Sequence, residues 1–212
     1  MSAETPRERP ILFNEQMVRA ILEGRKTVTR RVMKPQPDFL GSMVDPNTPF
    51  KTLDAGLHAR ITCPYGEPGD RLWVREAWAA DAQVDAIAPR DLSQGEPIWY
   101  PADFSVRQTG CSMISKGRGR PSIHMPRWAS RVLLEITAVR VERLQDISEE
   151  QALAEGVHGE PCDHARQACS DIGCWGDTAK GAFGFLWEQL NGAGAWQANP
   201  WVWVVEFKRV TP

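Results

Sequence analysis

Apolar residues recur with helical spacing at Met17, Ala20 and Ile21, just after Asn14. Asparagine is a residue type whose side-chain oxygen satisfies an open amide at a helix start, so the pattern predicts a helix from Asn14 through Glu23. A short apolar run, Ile11-Leu12-Phe13, precedes it. Gly24 follows the last periodic residue and predicts a left-handed C-terminal cap that throws the next residues out as a loop. Strong β formers alternate with polar residues over Arg71–Trp78, where Val74, Glu76 and Trp78 share one parity, and predict a strand. Within Ala129–Leu144 four successive positions of one parity, Val132, Leu134, Ile136 and Ala138, are all apolar. The other parity mixes Leu133, Val139 and Val141 with Glu135 and Thr137. Such a pattern predicts a long, much-buried strand with room for a bulge. Ser148 with Gln151 three residues on is a capping box, which predicts a helix to Glu155 stopped by Gly156. Phe183, Leu186, Trp187 and Leu190 predict another helix, and the dense β formers of Trp201–Val210 a closing strand.

Between these elements the chain loses its periodicity. Pro35–Pro68 and Ala79–Arg127 are rich in turn formers and predict irregular excursions. Val157–Lys180 reads as a cysteine-bearing insertion. A few strands, a few helices, no repeat and no glycine-rich nucleotide loop fit an α+β fold, a small mixed or antiparallel β-barrel with flanking helices and long insertions. They do not fit a doubly wound sheet. One domain spanning residues 1–212 is the expectation.

Composition narrows the function classes. With 42% hydrophobic and 25% charged residues the chain can bury a core. The opening residues are polar and no apolar run approaches the roughly 20 residues that span a bilayer, so a cytoplasmic protein without a membrane partner is expected. Five cysteines without a secretory leader point to reduced thiols or a metal site rather than disulfides. Cys162, His164, Cys169 and Cys174 supply three thiolates and one imidazole, the ligand complement of a structural tetrahedral zinc site. Such a site would stabilise an insertion that has no hydrophobic pattern of its own. A net charge of −2 gives no general attraction to phosphate, so affinity for nucleic acid must come from local patches. Two exist: Arg25, Lys26, Arg30, Arg31 and Lys34, and then Lys116, Arg118, Arg120, Arg127 and Arg131. Nine tryptophans add stacking capacity, and Trp78 and Trp128 are candidates to hold a base while Glu76 accepts from its exocyclic amine. His124 and Arg127 lie in a segment bracketed by Pro121 and Pro126, a setting that holds polar side chains at a pocket rim.

Gly24-Arg25-Lys26-Thr27-Val28-Thr29-Arg30-Arg31 resembles the signature of the ASCH family of the PUA-like superfamily, in which a Gly-x-Lys segment is followed within a few residues by Arg. Gly69-Asp70-x-Leu72, the strand to Val141, the capped helix ending at Glu155 and Trp201–Lys208 agree in order. Pro121–Trp128 and Asn199–Trp203 are similar to the long ASCH proteins of phages and prophages. The resemblance implies a PUA-like barrel with a pocket carrying residues 24–31. It also implies either binding of RNA or a modified nucleoside, or an amidohydrolase that removes the acetyl group from acetylcytidine through a Lys, a Thr and a Glu. Carried over by position, these are Lys26, Thr29 and Glu155. Thr29 would be the nucleophile, Lys26 its base if neutral, and Glu155 would orient Lys26 or a water, with Arg25, Arg30 and Arg31 binding the ligand or the oxyanion. That chemistry requires no cofactor. Ribonuclease-like cutting, and a phage accessory role in which the insertions dock a host protein, are the other readings.

Overall fold

A computed structural model describes residues 6–34, 36, 51–53, 60–157 and 178–210. In chain order they form β1 (Glu8–Leu12), α1 (Glu15–Leu22), β2 (Val28–Val32), β3 (Lys51–Leu53), β4 (Arg60–Thr62), β5 (Arg71–Arg75), β6 (Ile98–Tyr100), β7 (Ser105–Arg107), β8 (Leu133–Arg143), α2 (Glu149–Ala154), α3 (Ala179–Asn191) and β9 (Trp201–Val210). The chain, expected as one domain, divides into two compact units. One comprises residues 1–23, 69–135 and 209–212, the other residues 24–68 and 136–208.

In the first unit β1 runs parallel to β5, and β5 pairs antiparallel with the start of β8, Leu72 opposite Leu134. Asn14 caps α1 as its position predicts, its side-chain oxygen accepting from the Met17 amide at 2.8 Å. Val18, Ala20 and Ile21 are the buried residues of α1, while Met17 is half-buried. The strand predicted to Trp78 stops at Arg75, and Trp78 instead forms an isolated bridge with Arg120. Ala79–Arg127 is an organised layer rather than an irregular excursion. The antiparallel hairpin β6–β7, bridges Ala79↔Trp99 and Asp81↔Lys116, and four short 3-10 turns carry it. Trp78, Ala80, Leu92, Ile98, Tyr100, Met125 and Ala129 form its core. Strands of three residues are too short for alternation to register in sequence.

In the second unit the strands run β8–β9–β2, with β2 antiparallel to β9 through Thr29↔Val205, Arg30↔Val204 and Arg31↔Trp203. Residues 28–32, expected in a loop, are thus a sheet strand. One face of this sheet presents Val28, Val202 and Val204 to Ala152 of α2 and to Phe183 and Trp187 of α3, joined by Leu144, Ile147 and Trp196. Gly184 of α3 lies against the Trp196 ring, where a Cβ would stand 3.3 Å from the nearest ring carbon. Burying a phenylalanine such as Phe183 contributes about 1.5–3 kcal/mol. Leu190 of the predicted apolar face of α3 is exposed. Along β8 the buried parity passes from Leu134 and Ile136 to Val139. β3 and β4 pair separately.

The fold class is therefore mixed α+β with mostly antiparallel pairing and few helices. The strand pairings among the described residues do not close into a barrel. No helix among them is long and apolar enough to cross a membrane.

Candidate functional site

The entry to β2 is stitched on both sides. The Thr27 amide donates to the Ala154 carbonyl at the end of α2, and the Thr27 carbonyl accepts from the Phe207 amide of β9, each at 2.9 Å. Lys26 bridges to Glu155 in the same step and is 2% exposed. Its ammonium donates to Glu155 Oε2 at 2.6 Å, to the Glu155 carbonyl at 2.9 Å and to the Val28 carbonyl at 2.8 Å. An ammonium has three N–H donors, and these three acceptors take all of them.

Glu155 is shared. Its Oε1 accepts from Arg30 Nη1 at 3.3 Å, while Arg30 Nη2 donates to Glu142 Oε2 at 3.2 Å and Gln151 Oε1 at 2.9 Å. Gln151 Oε1 also accepts from the Ser148 amide, so the capping box that starts α2 holds Arg30 as well. Burial pushes the Lys26 pKa below its ordinary value. The Glu155 carboxylate opposes that shift by charge and hydrogen bond, and the positive charges of Arg31 and Arg30 add to it. Arg25, half-buried, donates to the Gly156 carbonyl at 3.1 Å.

Thr29 does not join this group. Side chains alternate along a strand, and Val28, Arg30 and Val32 belong to the face covered by α2 and α3. Thr29 and Arg31 therefore share the opposite face with their partners Val205 and Trp203. Three residues bring Lys26 and Thr29 onto one side in a turn, as the predicted loop required, but onto opposite sides of an extended segment. The Lys-Thr-Glu constellation is accordingly divided: Lys26 and Glu155 meet, and Thr29 lies across the sheet. Thr29 is 2% exposed and makes no side-chain hydrogen bond among the described residues. On its face Arg31 is half-buried, and its charge acts on Tyr65, whose phenol burial raises above the ordinary pKa. Buried Cys63 stands close by. Tyr65 and Glu142 were invisible as site residues in sequence, since Tyr65 sits in a stretch without period or motif and Glu142 near the end of a strand whose pattern marks burial, not partners.

Glu76, Trp78, His124, Arg127 and Trp128 all belong to the first unit. Glu76 is buried and gripped by Arg131, whose Nε and Nη2 each donate at 2.9 Å to one carboxylate oxygen. Burial raises the Glu76 pKa against the pull of Arg131. Trp78 is 0% exposed with the Arg120 guanidinium 5.3 Å from its ring centre, so it offers no face to a base, and the expected stacking role is corrected. Arg127 donates to Glu8 at 2.9 Å, half-buried Trp128 lies under the Arg107 guanidinium, and His124 is exposed. Cys162, His164, Cys169 and Cys174 lie outside the described residues. Among the described residues no group of three or more His, Cys, Asp or Glu is placed to hold a metal ion.

Compared with known proteins, the chain matches no family model, no curated protein and no solved structure.

Proposed function

We propose that the chain is an ASCH-type protein of the PUA-like superfamily whose second unit binds a nucleoside, free or within RNA, on the Thr29–Arg31 face of β2. The observation that carries the ASCH part of this reading is the 2.6 Å contact of Lys26 with Glu155. These residues lie 129 positions apart, and the resemblance assigns both to one pocket. On the opposite face a threonine hydroxyl with no hydrogen-bond partner among the described residues, a half-buried guanidinium and a half-buried phenol supply the donors that a base carbonyl and ribose oxygens accept.

Binding is favoured over hydrolysis on chemical grounds. A general base needs a free lone pair within reach of the hydroxyl it activates. The Lys26 nitrogen is surrounded by three acceptors, which suits the protonated form, and Thr29 is on the other side of the strand. Lys26 and Glu155 then set the position of β2 rather than move protons. Amide hydrolysis is the second reading, favoured by the burial that lowers the Lys26 pKa.

Calorimetric titration with acetylcytidine, cytidine, uridine and short oligoribonucleotides, with acetate assayed in parallel, tests both. Saturable uptake without acetate is expected, weakened about tenfold by Arg31→Met, the loss of one charge-assisted hydrogen bond. Acetate release abolished by Lys26→Met would replace binding with hydrolysis. No uptake of any of these ligands would remove the proposal.

A further inference from the structure

The β6–β7 hairpin is two-faced. Ile98 and Tyr100 are buried in the core of the first unit beside Trp78 and Met125. Trp99, between them, points the other way and lies opposite Val106, which is exposed. At the turn Phe104 holds a φ of +59°, a left-handed conformation that a bulky residue adopts only at a cost. Its ring is nevertheless 72% exposed, 6.1 Å from that of Trp99 and tilted to it by 46°. The Lys116 ammonium stands 4.2 Å from the centre of the Trp99 ring.

The basic segment beside this face is built rather than loose. Asp81 accepts from the amides of Ile114 at 2.6 Å and Ser115 at 3.1 Å, and both Asp85 oxygens accept from the Arg118 amide at 3.0 Å. Gly117 is required between the cations, since a Cβ there would lie 2.4 Å from Asp85 Oδ1 and 2.9 Å from the Ala80 carbonyl. From Pro97 to Arg131 the chain carries six Lys or Arg and one acid, Asp103. Arg131 Nη1 donates to both oxygens of that carboxylate, at 2.9 and 2.7 Å.

We infer that the outer face of this hairpin, with Trp99 and Phe104 beside Lys116 and Arg118, binds single-stranded nucleic acid. An exposed Phe104 ring and a half-buried Trp99 ring, beside exposed Lys116 and Arg118 on a backbone held by Asp81 and Asp85, match a ligand of alternating planar bases and phosphates. A duplex keeps its bases stacked inside and offers the rings nothing. The exposed charges of Lys116 and Arg118 favour a polyanion over a neutral surface. The inference stands apart from the Thr29–Arg31 reading, because all of its residues belong to the first unit.

Fluorescence anisotropy of the full chain with labelled oligouridylate, oligothymidylate and a duplex of equal length, over a salt series, tests it. Binding of either single strand supports the inference, and the tighter arm names the polynucleotide. Phe104→Asn is expected to weaken it about tenfold, the loss of one stacked base. Asparagine tolerates the left-handed backbone, so the fold holds, which the thermal midpoint verifies. Lys116→Gln should flatten the log–log salt dependence by about 0.7, the share of one phosphate contact on a single strand. Nucleoside uptake should be unchanged in Phe104→Asn. The inference is overturned if neither single strand binds, if the duplex binds as tightly, or if Phe104→Asn has no effect. Nucleoside uptake without oligonucleotide binding would remove it and leave the Thr29–Arg31 reading standing.

Discussion

Lys26 is the residue on which the second unit turns. A buried ion pair contributes little net stability over an apolar pair of the same shape, but removing one partner strands a charge. Lys26→Met should therefore destabilise the protein by about 3–5 kcal/mol in denaturant unfolding, and adding Glu155→Gln should restore part of that loss. If the single variant costs nothing, the network is not the anchor of β2. Asp81 makes a pH prediction. Hydrogen bonds from the backbone amides of Gln83 and Ile114, and from that of Ser115, hold its carboxyl below its ordinary value of 3.8, burial opposing them. A depressed carboxylate contributes stability that is present above its unfolded value and lost as pH falls through its folded one. Amide exchange at Ile114 and Ser115 should thus stay slow down to about the ordinary carboxylate pKa and accelerate only below it. Exchange that accelerates near neutrality would rule Asp81 out as the clasp.

At the scale of elements, caps account for much of the order near the site. Gly24 has φ +75°, and a Cβ placed there would meet nothing within 4 Å, so Gly24→Ala is penalised by backbone strain alone, about 1–2 kcal/mol. Ser148→Ala should cost about 1 kcal/mol through the lost cap. Both are read as shifts in thermal midpoint, and a neutral Gly24→Ala would contradict the left-handed cap. These caps were legible in sequence because capping chemistry is local, as were β9, α3 and most of β8. The β6–β7 hairpin was not, since its pairing joins residues whose individual segments are too short to show a period. The divided Lys26–Thr29 pair was misread for a related reason. A basic run after a glycine cap reads as a loop, and only the register with β9, a contact across the length of the chain, makes it a strand. The partnership of Lys26 with Glu155 was reached through resemblance, because nothing local to either residue specifies the other.

For the whole molecule, near-neutral net charge conceals an uneven distribution. In the Lys26 group, Lys26 and Arg30 are buried and paired with Glu155 and Glu142, whereas Lys116 and Arg118 are exposed. On the proposed reading, recognition in the second unit depends on a few donors around Thr29, Arg31 and Tyr65, and in the first on rings and exposed charge. Amide chemical-shift mapping of the full chain with acetylcytidine tests the central claim most directly. The account predicts saturable shifts centred on Thr29, Arg31 and Tyr65 with no acetate formed. Shifts that leave those three unmoved, or acetate accumulating in the sample, would contradict it.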